Sequence, residues 1–161
     1  MSTIWKPHVV VATVLEEDNK YLLVEESVDE KRVLNQPAGH LEPGESLKDA
    51  AIRETLEETG RVVSIDYLIG IYLMCSEDFQ NTFLRFCFKG KILSYDEDHK
   101  LDDDIIRTHW MSKKNLTQQQ KKPRSSLVMK AIQDYEKGNK YSLTLLHTDH
   151  YYCLLYTSPS P

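Results

Sequence analysis

The sequence predicts an α+β domain, arranged as an α/β/α sandwich with a mixed central sheet and flanking helices. Two observations carry this prediction: segments of strand type outnumber segments of helix type, and the helical segments are isolated from one another along the chain. The 161 residues, 40% of them hydrophobic and 28% charged, suffice for one domain with its own core. Because no internal repeat or linker divides the chain, residues 1–152 are predicted to form a single domain.

The predicted strands are short runs rich in Val, Ile, Leu and aromatic residues, each bounded by turn or charged residues. Asp18 and Asn19 mark the first turn, a charged connection covers 27–31, and an acidic loop covers 95–104. The strands are expected at 8–15, 21–25, 33–38, 62–74, 82–93 and 107–111.

Two segments have the pattern of helices that pack against a core. The first covers 46–59, with Ser46 as its N-cap, apolar residues along one face, and Gly60 where a glycine commonly ends a helix. The second covers 127–137 and is followed by a Gly-Asn pair. A loop with two glycines and a proline, at 39–44, precedes the first helix.

Charge and cysteine content narrow the classes of function. The 20 Lys and Arg residues and 25 Asp and Glu residues give a formal net charge of -5, which argues against a nucleic-acid partner. The three cysteines, Cys75, Cys87 and Cys153, have no CxxC spacing, so neither a disulfide framework nor a zinc site is predicted. No signal peptide or membrane-spanning stretch is visible, so we expect a cytoplasmic protein without a membrane partner.

The last nine residues, 153–161, fit none of the predicted elements. Their sequence, CLLYTSPSP, resembles the peptide encoded when a sequencing-library adapter is translated in frame. We therefore expect a non-native tail that is foreign to the domain. The alternative is a genuine Pro/Ser-rich disordered tail.

One constellation of residues carries chemical information, because its residue types recur at a fixed spacing across the glycine loop and the first helix. Glu54, Glu57 and Glu58 occupy positions i, i+3 and i+4 of that helix, which places neighbouring carboxylates on one face. Crowded carboxylates repel one another unless cations neutralise them, and hard divalent ions such as Mg²⁺ prefer these oxygen ligands. The complete constellation is Gly39, Glu45, Arg53, Glu54, Glu57, Glu58 and Gly60.

The glutamates also admit a plain structural interpretation. A solvated helix with ion pairs, such as one between Arg53 and Glu57, would explain a Glu-rich helix by itself. It would not explain why Gly39, Glu45 and Gly60 stand at fixed distances from that helix. The spacing therefore favours a functional site, in which Arg53 holds carboxylates in one orientation.

This constellation resembles the signature of the Nudix hydrolase family, and the chain is identified as a member of it. The resemblance implies a Nudix-type fold and Mg²⁺ or Mn²⁺ ions held by the three helix glutamates and the Gly39 carbonyl. It also implies in-line attack of an activated water on one phosphorus of the substrate. Arg53, Glu54 and Glu57 take catalytic roles in this interpretation, and Glu45 joins Arg53 in orienting the metal ligands.

Segments outside this signature resemble a bacterial phosphatase branch of the family. This resemblance implies a small-molecule substrate, with phosphate released from nucleoside di- and triphosphates and from a thiamine-precursor pyrophosphate. Release of pyrophosphate from nucleoside triphosphates stays open as an alternative. A sensor that binds nucleotides without cleaving them is disfavoured because every carboxylate of the signature is present. The resembling segments are 7–9, 24–26, 35–42, 83–86, 124–125 and 127–128, and Ser126 stands where the resemblance implies a proline.

Residues around the signature are candidates for contacts with substrate. Arg85 lies in an aromatic strand and either faces the phosphates or extends along the surface. Gln36 and His40 are candidate substrate-binding residues, and a structural hydrogen-bonding role is their alternative. Asp104 is a candidate extra carboxylate for the metal site, and a solvated acidic loop is its alternative.

Two aromatic residues are candidate partners for a nucleobase. Tyr72 or Phe79 could stack on a base, although an aromatic side chain in such a strand more often belongs to the core. The sequence leaves open whether the protein is a monomer or a homodimer, how many metal ions it binds, and which residue acts as the general base.

Overall fold

The computed structural model describes residues 4–76, 80–118 and 123–149. They form eight strands and three α-helices, and the α+β class is confirmed. No helix in these ranges is long and apolar enough to cross a membrane. The strands are β1 (His8–Val14), β2 (Glu16–Glu17), β3 (Lys20–Val28), β4 (Lys31–Asn35), β5 (Ala38–His40), β6 (Arg61–Cys75), β7 (Thr82–Tyr95) and β8 (Ile105–Met111). The helices are α1 (Leu47–Thr59), α2 (Lys113–Gln118) and α3 (Ser126–Glu136), followed by a 3₁₀ turn at Leu143–Leu145.

The strands are distributed over two sheets. The first has the order β5-β1-β7-β6, and it is mixed because β1 pairs parallel with β7 and antiparallel with β5. In the second sheet β3 pairs antiparallel with β2, β4 and β8. The β1–β5 pairing brings the glycine loop of the signature onto the first sheet, directly beside α1.

Two apolar clusters lie on opposite faces of β1 because successive side chains of a strand point to opposite sides. Val11 belongs to the cluster that includes Ala50 and Ala51 of α1. Ala12 belongs to the other cluster, which includes Ala131 and Ile132 of α3. Helices therefore cover both faces of the sheet, as expected for an α/β/α arrangement.

Local sequence determines where α1 begins and ends. The Ser46 hydroxyl oxygen accepts a hydrogen bond from the Asp49 backbone N–H at 3.1 Å, which satisfies one of the free donors at the helix start. Gly60 ends the helix with φ of 69° in the left-handed region, which glycine adopts without steric cost. The predicted N-cap and terminal glycine are confirmed.

Some connections differ from the sequence-based expectation. The predicted charged connection at 27–31 is mostly strand, because Asp29 and Glu30 alone make the turn, with φ of 47° and 62°. Two consecutive residues with positive φ are typical of a tight hairpin turn. Their acidic side chains do not prevent β3 and β4 from pairing on either side of it. The helix α2 was not predicted, and Leu116 is its one buried residue.

Candidate metal and phosphate site

Carboxylates from two separate elements line one pocket of the protein. Glu54 and Glu58 come from α1, and Asp102 and Asp104 come from the loop 96–104 that precedes β8. Gly39 of β5 lines the same pocket. The sequence-predicted residues Glu54, Glu58, Gly39 and Asp104 are thus brought together.

Three carboxylates form the most compact group in this pocket region. Glu54, Glu57 and Asp102 each offer one oxygen, and these oxygens lie within 4.8 Å of one another. A backbone hydrogen bond from the Asp102 N–H to the Glu57 carbonyl, at 3.2 Å, attaches the acidic loop to α1. Sequence reasoning singled out Asp104 as the extra carboxylate. Asp104 does line the pocket, but Asp102 is the loop residue that joins the compact group.

Glu58 connects α1 to β5 from a buried position. Only 6% of the residue is exposed, and its Oε2 accepts a hydrogen bond from the Ala38 backbone N–H at 2.9 Å. Burial raises the pKa of Glu58 to about 9, and the charges of Glu26, Glu54 and Asp104 act in the same direction. The buried Glu58 carboxylate is therefore held more readily with a proton or a cation than as a free anion.

The pKa values of two other carboxylates of the pocket, Glu54 and Asp102, are shifted in the same direction. Burial, together with the charges of Glu57 and Asp102, raises the pKa of Glu54, and Arg53 only partly opposes this. Burial, together with the charges of Glu57, Asp104 and Asp103, raises the pKa of Asp102. An excess of negative charge with hard oxygen donors fits a divalent cation, which would neutralise it.

Arg53 links the carboxylates of the signature through one guanidinium. Its Nε and Nη2 donate to the two oxygens of Glu45 at 3.0 and 2.7 Å. Its Nη1 donates to Glu54 at 2.7 Å and to Glu57 at 2.9 Å. Its Nη2 also donates to the carbonyl of His40 at 3.0 Å, which connects α1 with the glycine loop. These hydrogen bonds hold two of the predicted metal ligands in one orientation, and the hydrogen bond from Arg53 lowers the pKa of Glu45.

Gly39 is required by the position of the Glu54 carboxylate. A Cβ atom added at Gly39 would come closer than 3.0 Å to the carboxylate carbon and both oxygens of Glu54. Real Cβ atoms essentially never make so close a contact. The glycine therefore lets β5 approach the carboxylate.

Arg85 reaches the same pocket from β7. The residue is buried, with 6% exposure, so its alternative as a surface arginine is wrong. Its Nη2 donates to Gln36 Oε1 at 2.7 Å and, over a longer distance of 3.3 Å, to Asn35 Oδ1. Gln36 is 1% exposed and donates from Nε2 to the Val128 carbonyl at 2.8 Å. The geometry thus favours a structural role for Gln36, which accepts a hydrogen bond from Arg85 and holds that side chain in place.

The remaining candidate residues for contacts with substrate are His40, Tyr72 and Phe79. His40 lines the pocket, and burial, together with nearby His8 and Arg124, lowers the pKa of its imidazole. Tyr72 lines a separate hollow and donates to Asp134 Oδ2 at 3.0 Å, so the structure does not place it against a base. Phe79 lies outside the described residues.

Several lining residues were not singled out as site residues from the sequence. Arg124 lies just before α3, and its side chain forms an ion pair with buried Glu26. The available signal was the resembling Arg-Ser pair at 124–125, which gave no indication of a place in the pocket. An apolar part of the lining, equally unexpected, consists of Val10, Met74, Phe83 and Leu127.

Known proteins share the sequence pattern and the fold of this chain. The NUDIX domain family model matches residues 5–132. Phosphatase NudJ of Escherichia coli strain K12 is 37% identical over 142 residues, which cover 88% of this chain and 92% of that protein. A solved NUDIX hydrolase from Nitrosomonas europaea is 47% identical, with a TM-score of 0.86, covering 89% of this chain and 98% of its own. The MutT protein from Methanosarcina mazei Go1 shares the fold at 23% identity, with a TM-score of 0.68, covering 86% of this chain and 100% of its own. The chain therefore belongs to the NUDIX family and is a Nudix hydrolase.

Proposed function

We propose that this hydrolase is a phosphatase that releases phosphate from nucleoside di- and triphosphates and from a thiamine-precursor pyrophosphate. The observation that carries this proposal is one pocket lined by acidic side chains and by the buried cation Arg85. Carboxylates suit divalent cations, and an arginine suits phosphate oxygens. The likeness to Phosphatase NudJ, which covers most of both chains, supports a phosphatase within the family.

Mg²⁺ is the proposed cation, with Mn²⁺ as its alternative. Glu54, Glu57, Glu58 and Asp102 would hold it through carboxylate oxygens, and Gly39 through its carbonyl. When bound, such a cation neutralises phosphoryl oxygens and lowers the pKa of a water molecule that it polarises. Asp104 would serve as a further carboxylate on the rim of the same pocket.

The protein's own residues supply positioning. Arg53 keeps Glu54 and Glu57 in one orientation through its two hydrogen bonds, and the bidentate contact with Glu45 fixes the guanidinium itself. A ligand set held in place before substrate arrives avoids reorganisation during the reaction. Arg85 is held by Gln36 at 2.7 Å and by Asn35 at 3.3 Å, so its charge would meet the phosphates at a fixed place.

The apolar lining suits the organic part of the substrate. Phe83 and Met74 offer contact surfaces for a flat heterocycle, and Val10 and Leu127 extend the same lining. Nucleobases and a pyrimidine ring have such flat faces and bind well in mostly apolar sites. A pocket with such a lining suits a small-molecule substrate.

A cytoplasmic location and a monomeric or homodimeric state stay predictions.

The bond that is broken can be determined with isotope-labelled water. We expect attack on the terminal phosphorus, because such a site needs to grip only two phosphates, and diphosphates should then react as well as triphosphates. Hydrolysis of a nucleoside triphosphate in ¹⁸O-labelled water should place the label in inorganic phosphate, with the diphosphate as first organic product. Pyrophosphate as the first product, without cleavage of diphosphates, would identify a pyrophosphohydrolase instead.

A further inference from the structure

We propose, resting on the function proposed above, that Arg85, Arg124 and the first turn of α3 form a subsite for the terminal phosphate. The same subsite would retain inorganic phosphate after cleavage. Glu26 acts in this arrangement as a positioning residue, because it holds Arg124 at the pocket.

Arg85 is a buried cation whose hydrogen bonds go to neutral groups. Its terminal nitrogens donate to the amide oxygens of Asn35 and Gln36. Within the described part of the chain its Nε has no hydrogen-bond partner. Burying a guanidinium whose direct hydrogen bonds go only to neutral groups is costly, and an anion in the pocket would offset that cost. Phosphate oxygens match the fork of donors that a guanidinium presents.

Arg124 adds a second cation, and the backbone around it is fixed. Its N–H donates to the Leu34 carbonyl at 2.8 Å, which ties the segment before α3 to β4. The next residue, Ser125, caps α3 by accepting from the Leu127 N–H at 3.3 Å. Ser125 and Leu127 also line the pocket, so the positive end of the α3 dipole lies at the same cavity.

Glu26 accounts for the position of the Arg124 side chain. The Glu26 carboxylate is 1% exposed, and its Oε2 accepts from Arg124 Nη1. The arginine side chain itself is 48% exposed, so one end is anchored in the protein while the rest reaches the pocket. Arg85, Arg124 and Glu26 together carry one net positive charge, which suits a phosphate beside the carboxylates that would hold the cation.

The neighbouring residue on β3 provides an internal control. Glu25 is also buried and accepts from Arg107 Nε at 3.0 Å, so the two arginines make the same kind of ion pair. Successive residues of a strand point to opposite faces, and Glu25 faces away from the Glu26 side. Arg107 is similarly exposed, at 55%, but it is not among the residues that line the pocket.

The test measures phosphate binding without catalysis. Wild-type protein, Arg124→Gln and Arg107→Gln are titrated with inorganic phosphate in Mg²⁺ by calorimetry, and Mg²⁺ binding is measured separately. We expect Arg124→Gln to weaken phosphate binding by about tenfold or more, since charged hydrogen bonds are lost. Arg107→Gln should bind phosphate as the wild type does, and Mg²⁺ affinity should stay unchanged in both variants.

The role of Glu26 is tested with a double-mutant cycle. Glu26→Ala should weaken phosphate binding, and combining it with Arg124→Gln should add little, because both changes remove one positioned cation. Glu26→Gln keeps the shape of the side chain and an oxygen that can accept from Arg124, so this variant should retain most of the phosphate binding. It tests the role of Glu26 even if Glu26→Ala folds poorly. Fully additive losses from two folded variants would overturn the positioning role.

The outcomes separate this inference from the proposed function. If no phosphoanhydride is cleaved but phosphate binding still depends on Arg124, the subsite stands and the proposed function fails. If wild-type protein binds no phosphate in Mg²⁺, or if Arg124→Gln and Arg107→Gln bind it equally, the subsite is overturned. Nucleotide hydrolysis with unchanged KM in Arg124→Gln would likewise overturn the subsite and leave the phosphatase in place.

Discussion

Replacing Gly39 with alanine tests how closely the backbone must approach the carboxylates. The new methyl group would lie closer than 3.0 Å to the Glu54 carboxylate, whereas ordinary contacts begin at 3.4 Å. The carboxylate would have to retreat by about 1 Å to restore normal contact distances. Because it is the end of a flexible side chain, it can move without disturbing the fold.

We expect Gly39→Ala to lower the catalytic rate and to leave the free energy of unfolding nearly unchanged. Metal–ligand distances tolerate only about 0.2 Å of variation, and a misplacement of about 1 Å can cost on the order of 10²-fold in rate. We therefore expect Gly39→Ala to lower kcat by roughly 10²-fold. The free energy of unfolding should change by less than about 1 kcal/mol, because no core contact is lost.

Gly138→Ala is the matched control for this variant. Gly138 has φ of 81°, and an added Cβ would have no atom within 4 Å. The left-handed backbone should make this change cost about 1 kcal/mol of stability while leaving kcat unchanged. Steady-state kinetics and denaturant unfolding of both variants give the comparison. Full kcat in Gly39→Ala, or a greater loss of stability there than at Gly138, would refute the reasoning.

Three further predictions concern the carboxylates and the tail. Glu57→Gln and Glu58→Gln should each lower kcat by roughly 10²-fold or more in folded protein, since each removes a ligand charge; near-normal rates would count against the site. Without metal, the unfolding free energy should fall as pH rises from about 4.5 to about 9, because folded Glu58 keeps a proton that the unfolded chain releases. Glu58→Gln should flatten this fall, and an equally steep fall in that variant would contradict the assignment. Deleting 153–161 should leave Tm and rate unchanged, and a clear drop in Tm would show that the tail belongs to the domain.

The parts of the site that rest on local patterns could be predicted from the sequence. The caps of α1 and the common face of Glu54 and Glu58 follow from helix periodicity, which needs no distant contact. Gly39 was identified by its spacing from that helix. Its physical reason, the closeness of the Glu54 carboxylate, emerges only once β5 pairs with β1.

The parts that rest on long-range contacts could not be predicted. Asp104 was the candidate chosen from the acidic run, whereas Asp102 is the residue grouped with Glu54 and Glu57, next to α1, to which its N–H donates. Arg124 reaches the pocket because its backbone pairs with Leu34, far away in the sequence. The orientation of Arg85 depends on which face of β7 is covered by α3, and strand periodicity alone does not decide that.

The claim that the clustered carboxylates form a metal-dependent hydrolytic site is tested most directly by the dependence of hydrolysis on a divalent cation. Purified protein is incubated with a nucleoside triphosphate in Mg²⁺, and inorganic phosphate and pyrophosphate are measured by separate assays before and after excess EDTA. Because the clustered carboxylates need a cation to act together, hydrolysis should require Mg²⁺ or Mn²⁺, release phosphate, and stop in EDTA. Full activity in excess EDTA would contradict the account.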